Sequence, residues 1–259
     1  MHLKKPLPLL ALAFISRIAA ADCDVRTFGA TGDGKTIDSP ALNNAIEADA
    51  AAGGANVHFP AGTYLSSSIR LKSHVTLHLD PGSVIEAATA APGVGDYDPP
   101  EPNEWGDKQY QDYGHSHFHN SLIWGDGLDD IAITGTGRIF GKGLSRSNGG
   151  GGGGGGRRGG QGGPNGTDAA GPNGTIAPGT VPAAAAPAAR GPGGGANNGG
   201  NKSIALKNCR NVTLRDFSIL QGGWFGLLAT GVDNFTIDNV KVDTNRDGFD
   251  IDCCRNVRI

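Results

Sequence analysis

Cysteine, charge and long apolar runs are all scarce in this chain, and each scarcity excludes something. Four cysteines in 259 residues (Cys23, Cys209, Cys253 and Cys254) are too few to staple a small scaffold. The adjacent Cys253 and Cys254 fit no zinc-ligand spacing. Small buried residues, with room for one bridge, are the expectation. Charge is mild, with 22 basic against 25 acidic side chains. Without Lys4, Lys5 and Arg17 the basic count is 19 and the net charge −6. No basic surface for nucleic acid is implied. The one apolar run of note, near the N-terminus, is too short to span a bilayer and is broken by Arg17.

That run lies in "MHLKKPLPLLALAFISRIAAA", residues 1–21. A basic start, an apolar centre and small residues Ala19 to Ala21 read as a secretory signal peptide. The expected mature protein is therefore exported (secreted or periplasmic), soluble and monomeric, with no nucleic-acid or membrane partner. Residues 148–200 hold 22 of the 44 glycines and no aromatic residue. Such a stretch cannot bury enough apolar surface to offset its ordering entropy, so a disordered insert is expected. On either side, 22–147 and 201–259 are rich in short β-type runs separated by Gly, Asn and Asp. One helix is expected in "DSPALNNAIEADAAAGG", with Ser39 as N-cap, Pro40 in the first turn, Gly53 and Gly54 at its end, and a stripe of Ala41, Ala45, Ile46 and Ala52.

The organising signal is a repeat. "CRNVTLRDFSI" from 209, "VDNFTIDNVKV" from 232 and "CRNVRI" from 254 align Asn211, Asn234 and Asn256, 23 and 22 residues apart. Asp130 fits the same slot. Each Asn precedes an alternating apolar run, a second short strand follows, and "WFGLLAT" (224–230) matches "RDGFDID" (246–252) as a third. Three strands per unit describe one turn of a parallel β-helix, its turns stacked about 4.8 Å apart. The expected fold is therefore all-β, a right-handed parallel β-helix with an N-terminal capping helix, and the two flanking segments belong to one solenoid. An Asn ladder should form at a corner, and Arg210, Asp233 and Arg255 should stack. Cys209 and Cys254 would sit two turns apart, too far to bridge. An antiparallel sandwich or barrel is the rival, which hairpins at irregular spacing would favour.

Three aspartates, Asp247, Asp250 and Asp252, crowd a segment that reads as a strand. Like charges destabilise a strand whose only task is stability. With Phe249 and Ile251 inward, Asp250 and Asp252 face outward and Asp247 sits at the bend. Grouped carboxylates can hold a cation or perform acid–base work on a glycosidic bond; inverting glycosidases place two carboxyls roughly 6.5–9.5 Å apart. Solvated, turn-capping carboxylates are the bland reading of the same residues.

Three stretches carry a resemblance: residues 25–85, from "VRTFGATGDG" to "DPGSVI"; "LIWGDGLDDIAITGTGRIFGKG"; and residues 201–252, from "NKSIALKNCRNVTL" to "NRDGFDID". Together they resemble glycoside hydrolase family 28, the polygalacturonase and rhamnogalacturonase group. Of that family's motifs, Asn-Thr-Asp-Gly has a counterpart at Asn245, Arg246, Asp247 and Gly248, with Arg in place of Thr. The resemblance implies inverting hydrolysis of a galacturonate-containing pectic polysaccharide without a cofactor. It makes Asp247 the residue that activates water and Asn245 a residue that shapes the site. Asp250 and Trp224 are candidate substrate contacts. The Asp-Asp, Gly-His-Gly and Arg-Ile-Lys motifs would fall one turn further on, near position 269, so the sequence is expected to be incomplete at its C-terminus. A calcium-dependent lyase on the same solenoid and a non-catalytic carbohydrate-binding or adhesive β-helix are the alternatives.

Further candidates are weaker. His115, His117 and His119 alternate and are read as a loop by the groove rather than a metal site. Residues 96–114 are expected as a long loop flanking the cleft. Asn165, Asn173, Asn211 and Asn234 begin Asn-X-Ser/Thr sequons, the last two by chance within the ladder.

Overall fold

The computed structural model describes residues 22–90, 96–102, 113–146, 199–244 and 246–259. The expected leader and nearly all of the Gly-rich insert lie outside them, as does Asn245. The described strands form three parallel sheets. The first has seven strands, from Cys23–Asp24 to Arg255–Arg258. The second has six, from Asp33–Ile37 to Lys241–Asp243, and the third five, from Ile69–Arg70 to Asp247–Asp252. The chain visits the sheets in rotation, and each strand pairs in parallel with its equivalent one turn away. This is the parallel β-helix the repeat predicts. Antiparallel pairing is confined, among the described residues, to an isolated bridge between Lys202 and Gly223.

Alternation builds the core. In the first sheet Val57, Leu77, Ile133, Leu214 and Ile237 form one continuous inward column, all buried. Tyr64, Ile85, Ile139, Ile219 and the partly buried Val242 form the column of the second sheet. Ile69, Ile123, Ile204, Leu227 and Phe249 do so in the third. Each fully buried aliphatic contributes about 1.5–3 kcal/mol of transfer free energy, so each column is a major source of stability.

The corners are set by left-handed backbone. Asp130, Asn211, Asn234 and Asn256 all adopt φ between 53° and 55°. Asn tolerates this region because its short side chain can hydrogen-bond locally. Each amide reaches the previous tier: Asn211 Nδ2 donates to Asp130 Oδ1 at 2.7 Å, Asn234 to Asn211 Oδ1 at 2.9 Å, and Asn256 to Asn234 Oδ1 at 3.0 Å. The expected ladder is present. A second one, not expected, joins Asn239 to Asp216 at 2.9 Å. Arg210, Asp233 and Arg255 stack in register as anticipated, and Arg255 grips Asp233 with two hydrogen bonds of 2.8 and 2.6 Å.

The first helix runs Ser39–Ala51 and packs on the opening strands through Leu42, Ala45 and Ile46. Two details differ from the sequence reading. The N-cap is Asp38, not Ser39, and its carboxylate is drawn away to the Thr31 N–H and hydroxyl and the Gly32 N–H. Leu42, rather than Ala41 or Ala52, fills the buried stripe, because Ala52 lies beyond the last turn and is exposed. All four cysteines are free thiols. Cys209 and Cys254 hydrogen-bond the Gly125 and Ala229 carbonyls of adjacent strands, and burial pushes both thiols above their ordinary value. Among the described residues no helix is long and apolar enough to cross a membrane.

Candidate active site

After the first tier, where the helix takes the place of a third-sheet strand, the connection from the second sheet to the third is the one that varies in length. It is brief at 67–68, 221–224 and 244–246, but carries residues 88–122 in one tier and the Gly-rich segment in another. Sequence variation is thus channelled to one corner, where the strands of the third sheet begin. Asp247 opens the last of these strands.

Register fixes what lies beside it. Asp247 pairs with Phe225, Asp250 with Leu228 and Asp252 with Thr230, the pairing inferred from the 22-residue match. Phe249 and Ile251 pack against the core, which leaves Asp250 and Asp252 on the outer face. Asp247 is exposed at the bend, and Asp250 and Asp252 are half-buried. The neighbouring outer positions are apolar. Phe225, Leu228 and Ala205 form a buried cluster with Phe118, and Trp124 and Trp224 pack at its margin. The buried cluster anchors this face, and only the partly buried Trp124 and Trp224 at its margin could offer ring surface to a sugar beside the carboxylates.

The loop after the short helix Tyr113–Ser116 covers part of this face. His115 Nε2 lies 2.9 Å from Asp250 Oδ2, and its ring meets Phe225 edge-on at 4.7 Å. His119 stacks on Trp124 at 3.9 Å. Glu101 accepts from the backbone N–H groups of Phe118 and His119 at 2.7 and 3.0 Å and so fixes the loop. The three alternating histidines therefore have separate tasks: His115 reaches Asp250, His119 packs on an indole, and His117 is buried. His115 thus sits in the short helix, where the sequence reading expected loop, and His117 and His119 lie in the loop after it.

Arg70, Asp98 and Trp124 form a further polar unit. Arg70 Nε and Nη2 donate to the two Asp98 oxygens at 2.8 and 2.6 Å, and Trp124 Nε1 donates to Asp98 Oδ2 at 2.8 Å. Burial disfavours the charge on Asp98, but the hydrogen bonds from Arg70 and Trp124 outweigh it and hold the carboxyl below its ordinary value. Sequence reading missed this unit because its members are 28 and 26 residues apart in unrelated segments. Lys202 was missed as well. It is fully buried at the head of its strand, with Nζ 2.6 Å from Asn201 Oδ1 and 3.3 Å from Asn120 Oδ1.

Of the residues picked from sequence, Asp247 and Trp224 lie at the starts of adjacent strands of the third sheet, and Asp250 lies three residues further along. Arg246, the residue in place of Thr, lays its guanidinium 3.7 Å from the Trp224 ring centre. One indole face is thus already stacked by a cation, a favourable contact in its own right. On the second-sheet side of the corner, a pocket of about 430 Å³ is lined by Phe140, Arg146, Leu220, Gln221, Asp243 and Thr244.

Comparison with known proteins gives this geometry a context. A probable polygalacturonase of Vitis vinifera is 32% identical over 126 residues, which cover 45% of this chain and 23% of that protein. The plasmin and fibronectin-binding protein A of Streptococcus pneumoniae is 46% identical over 72 residues, which cover 27% of this chain and 9% of that protein. The matches thus span less than a quarter of either relative's length. The exopolygalacturonase of Thermotoga maritima superposes with a TM-score of 0.61 at 19% identity, over 92% of this chain and 50% of that one. Residues 23–118 match the family described as rhamnogalacturonase A/epimerase, pectate lyase-like. The fold is thus a parallel β-helix like that of the exopolygalacturonase, and the chain is similar in sequence to a pectate lyase-like family over residues 23–118 and to a polygalacturonase over 126 residues.

Proposed function

We propose that this protein is an exported glycoside hydrolase that cleaves pectic, galacturonan-type polysaccharide with inversion, and that Asp247 activates the attacking water. The observation that carries the reading is the placement of Asp247. It stands exposed at the start of its strand in the third sheet, paired with Phe225 and therefore next to the partly buried Trp224, at the corner where the connections from the second sheet enter. Water activation requires a carboxylate open to solvent and close to the bound sugar.

Asp250 lies three residues further along the strand, roughly 10 Å at the rise of extended chain, at the outer limit for an inverting pair. Its carboxylate is already engaged by His115. Asp250 therefore suits a substrate contact, so protonation of the leaving oxygen falls to a carboxyl other than Asp247 and Asp250, and Trp224 and Asn245 complete the proposed binding set. Export rests on the leader-like N-terminus, and the reaction needs no cofactor.

The test is reducing-end release from polygalacturonate by the full-length gene product and by Asp247→Asn. Loss of two or more orders of magnitude in rate, with substrate affinity retained, supports the reading. Products that absorb in the ultraviolet and vanish with chelator would instead make it a calcium-dependent lyase. A second reading, an adhesive solenoid, draws on the 46% identity to a plasmin and fibronectin-binding protein. It requires saturable binding to polysaccharide or protein with no bond cleavage, and Asp247→Asn changing affinity alone.

A further inference from the structure

We propose that His58, His78 and Asp80 form a binding site for a first-row divalent metal ion, Zn²⁺ by donor type, on the outer face of the first sheet. His58 and His78 are directly paired on adjacent strands, Asn56–Phe59 and Thr76–Leu79, so their rings stand one above the other with centroids 5.0 Å apart. Asp80 follows the second strand immediately. One ligand-competent atom from each of the three residues lies within 4.8 Å of the others.

The distances decide between a hydrogen-bonded cluster and a metal site. His58 Nδ1 lies 3.4 Å from Asp80 Oδ1, and His78 Nε2 lies 3.6 Å from the same oxygen. Ordinary hydrogen bonds between such atoms run about 2.7–3.2 Å. Donors bound to one tetrahedral ion at about 2.0–2.2 Å are separated by roughly 3.3–3.6 Å. The first is a long hydrogen bond and the second lies beyond hydrogen-bond range, and both match the edge of a tetrahedron. Two imidazoles and a carboxylate, all half-exposed, leave a further position for water or an exogenous ligand.

The outer partners point the same way. A ligating imidazole needs its second nitrogen held as a donor, which fixes the tautomer and aims the first at the metal. His78 Nδ1 lies 2.9 Å from Thr134 Oγ1 on the next strand. His58 Nε2 faces Asp22 Oδ2 at 3.3 Å, and Asp22 is itself held by Asn56 Nδ2 at 3.0 Å. His78 is therefore fixed on the side away from the shared centre, and His58 turns its second nitrogen toward a carboxylate there. A cluster that served only to solvate two imidazoles would not need that arrangement. The site is on a different sheet from Asp247 and is independent of the hydrolase reading.

Isothermal titration of the metal-free full-length chain with ZnCl₂ at pH 7.5 tests it. One equivalent should bind with a micromolar or tighter Kd and raise the melting temperature. His78→Ala and Asp80→Asn should each weaken binding by at least about tenfold, and Thr134→Val by about tenfold through loss of the outer contact. His115→Ala with His119→Ala, and separately Cys253→Ser, should leave affinity unchanged. Far-UV circular dichroism of each metal-free variant establishes that it is folded; Asp80→Asn, at a half-exposed position, decides the matter if His78→Ala does not fold. Absence of saturable binding, or wild-type affinity in a folded Asp80→Asn, overturns the proposal.

Discussion

Asn234 is the best single probe of how this solenoid is held in register. It occupies φ 55°, donates its amide to Asn211 at 2.9 Å, and accepts from Asn256 at 3.0 Å. Asn234→Gly keeps the backbone conformation and removes both amide bonds. These are solvent-exposed and so contribute at the low end, about 0.5 kcal/mol each, giving about 1 kcal/mol in all. Asn234→Ala loses the same bonds and adds left-handed strain of about 1–2 kcal/mol, for a total of about 2–3 kcal/mol. Asn256→Ala should fall between the two, because it suffers the strain but breaks only the bond it donates to Asn234. Equilibrium urea unfolding followed by far-UV circular dichroism, with m unchanged, reads these differences. If Asn234→Ala and Asn234→Gly are equally stable, the backbone is not what selects Asn at this corner. If both lie within 0.5 kcal/mol of wild type, an order-of-magnitude limit for ordinary surface changes, the ladder contributes nothing.

Other outcomes follow from the site. Gly226→Ala should destabilise by about 1–3 kcal/mol and lower activity on polygalacturonate, because its new Cβ would lie 2.6 Å from the Gly248 carbonyl beside Asp247. Gly248→Ala should be far milder, since its Cβ would meet only Val242 Cγ1 at 3.5 Å. Asp98 should contribute to acid sensitivity: its folded pKa lies below the ordinary 3.8, so its stabilisation is present above that value and is lost as pH falls through the folded value. Asp98→Asn should therefore lower stability at neutral pH and flatten the decline below about pH 4, as measured by urea midpoints across the acid range. His115→Ala should free Asp250 and raise KM more than it lowers kcat, if Asp250 contacts substrate; equal loss in kcat would place His115 in the chemistry instead.

Much of this protein could be read before any coordinates were known. The recurrence of Asn211, Asn234 and Asn256 fixed the period. The period fixed the register of Phe225 against Asp247, because a solenoid pairs each strand with its own sequence equivalent. Local rules went further astray at the helix, where Asp38 caps by position alone. Its carboxylate is claimed by Thr31 and Gly32, and a pattern of cap residues cannot register that competition.

Side chains that meet across unrelated segments were not legible. Nothing in a 135-residue separation pairs His115 with Asp250, and nothing in a strand pattern distinguishes the buried Lys202 from a surface lysine. The same holds for Arg70 with Asp98 and for the Thr134 hydroxyl against His78. Sequence by itself determined the repeat, because stacking interactions are local in the solenoid: each residue meets its counterpart one period away. Only the tertiary structure decided the site, because long connections carry residues across that period and their docking depends on packing and polar satisfaction that no periodicity encodes.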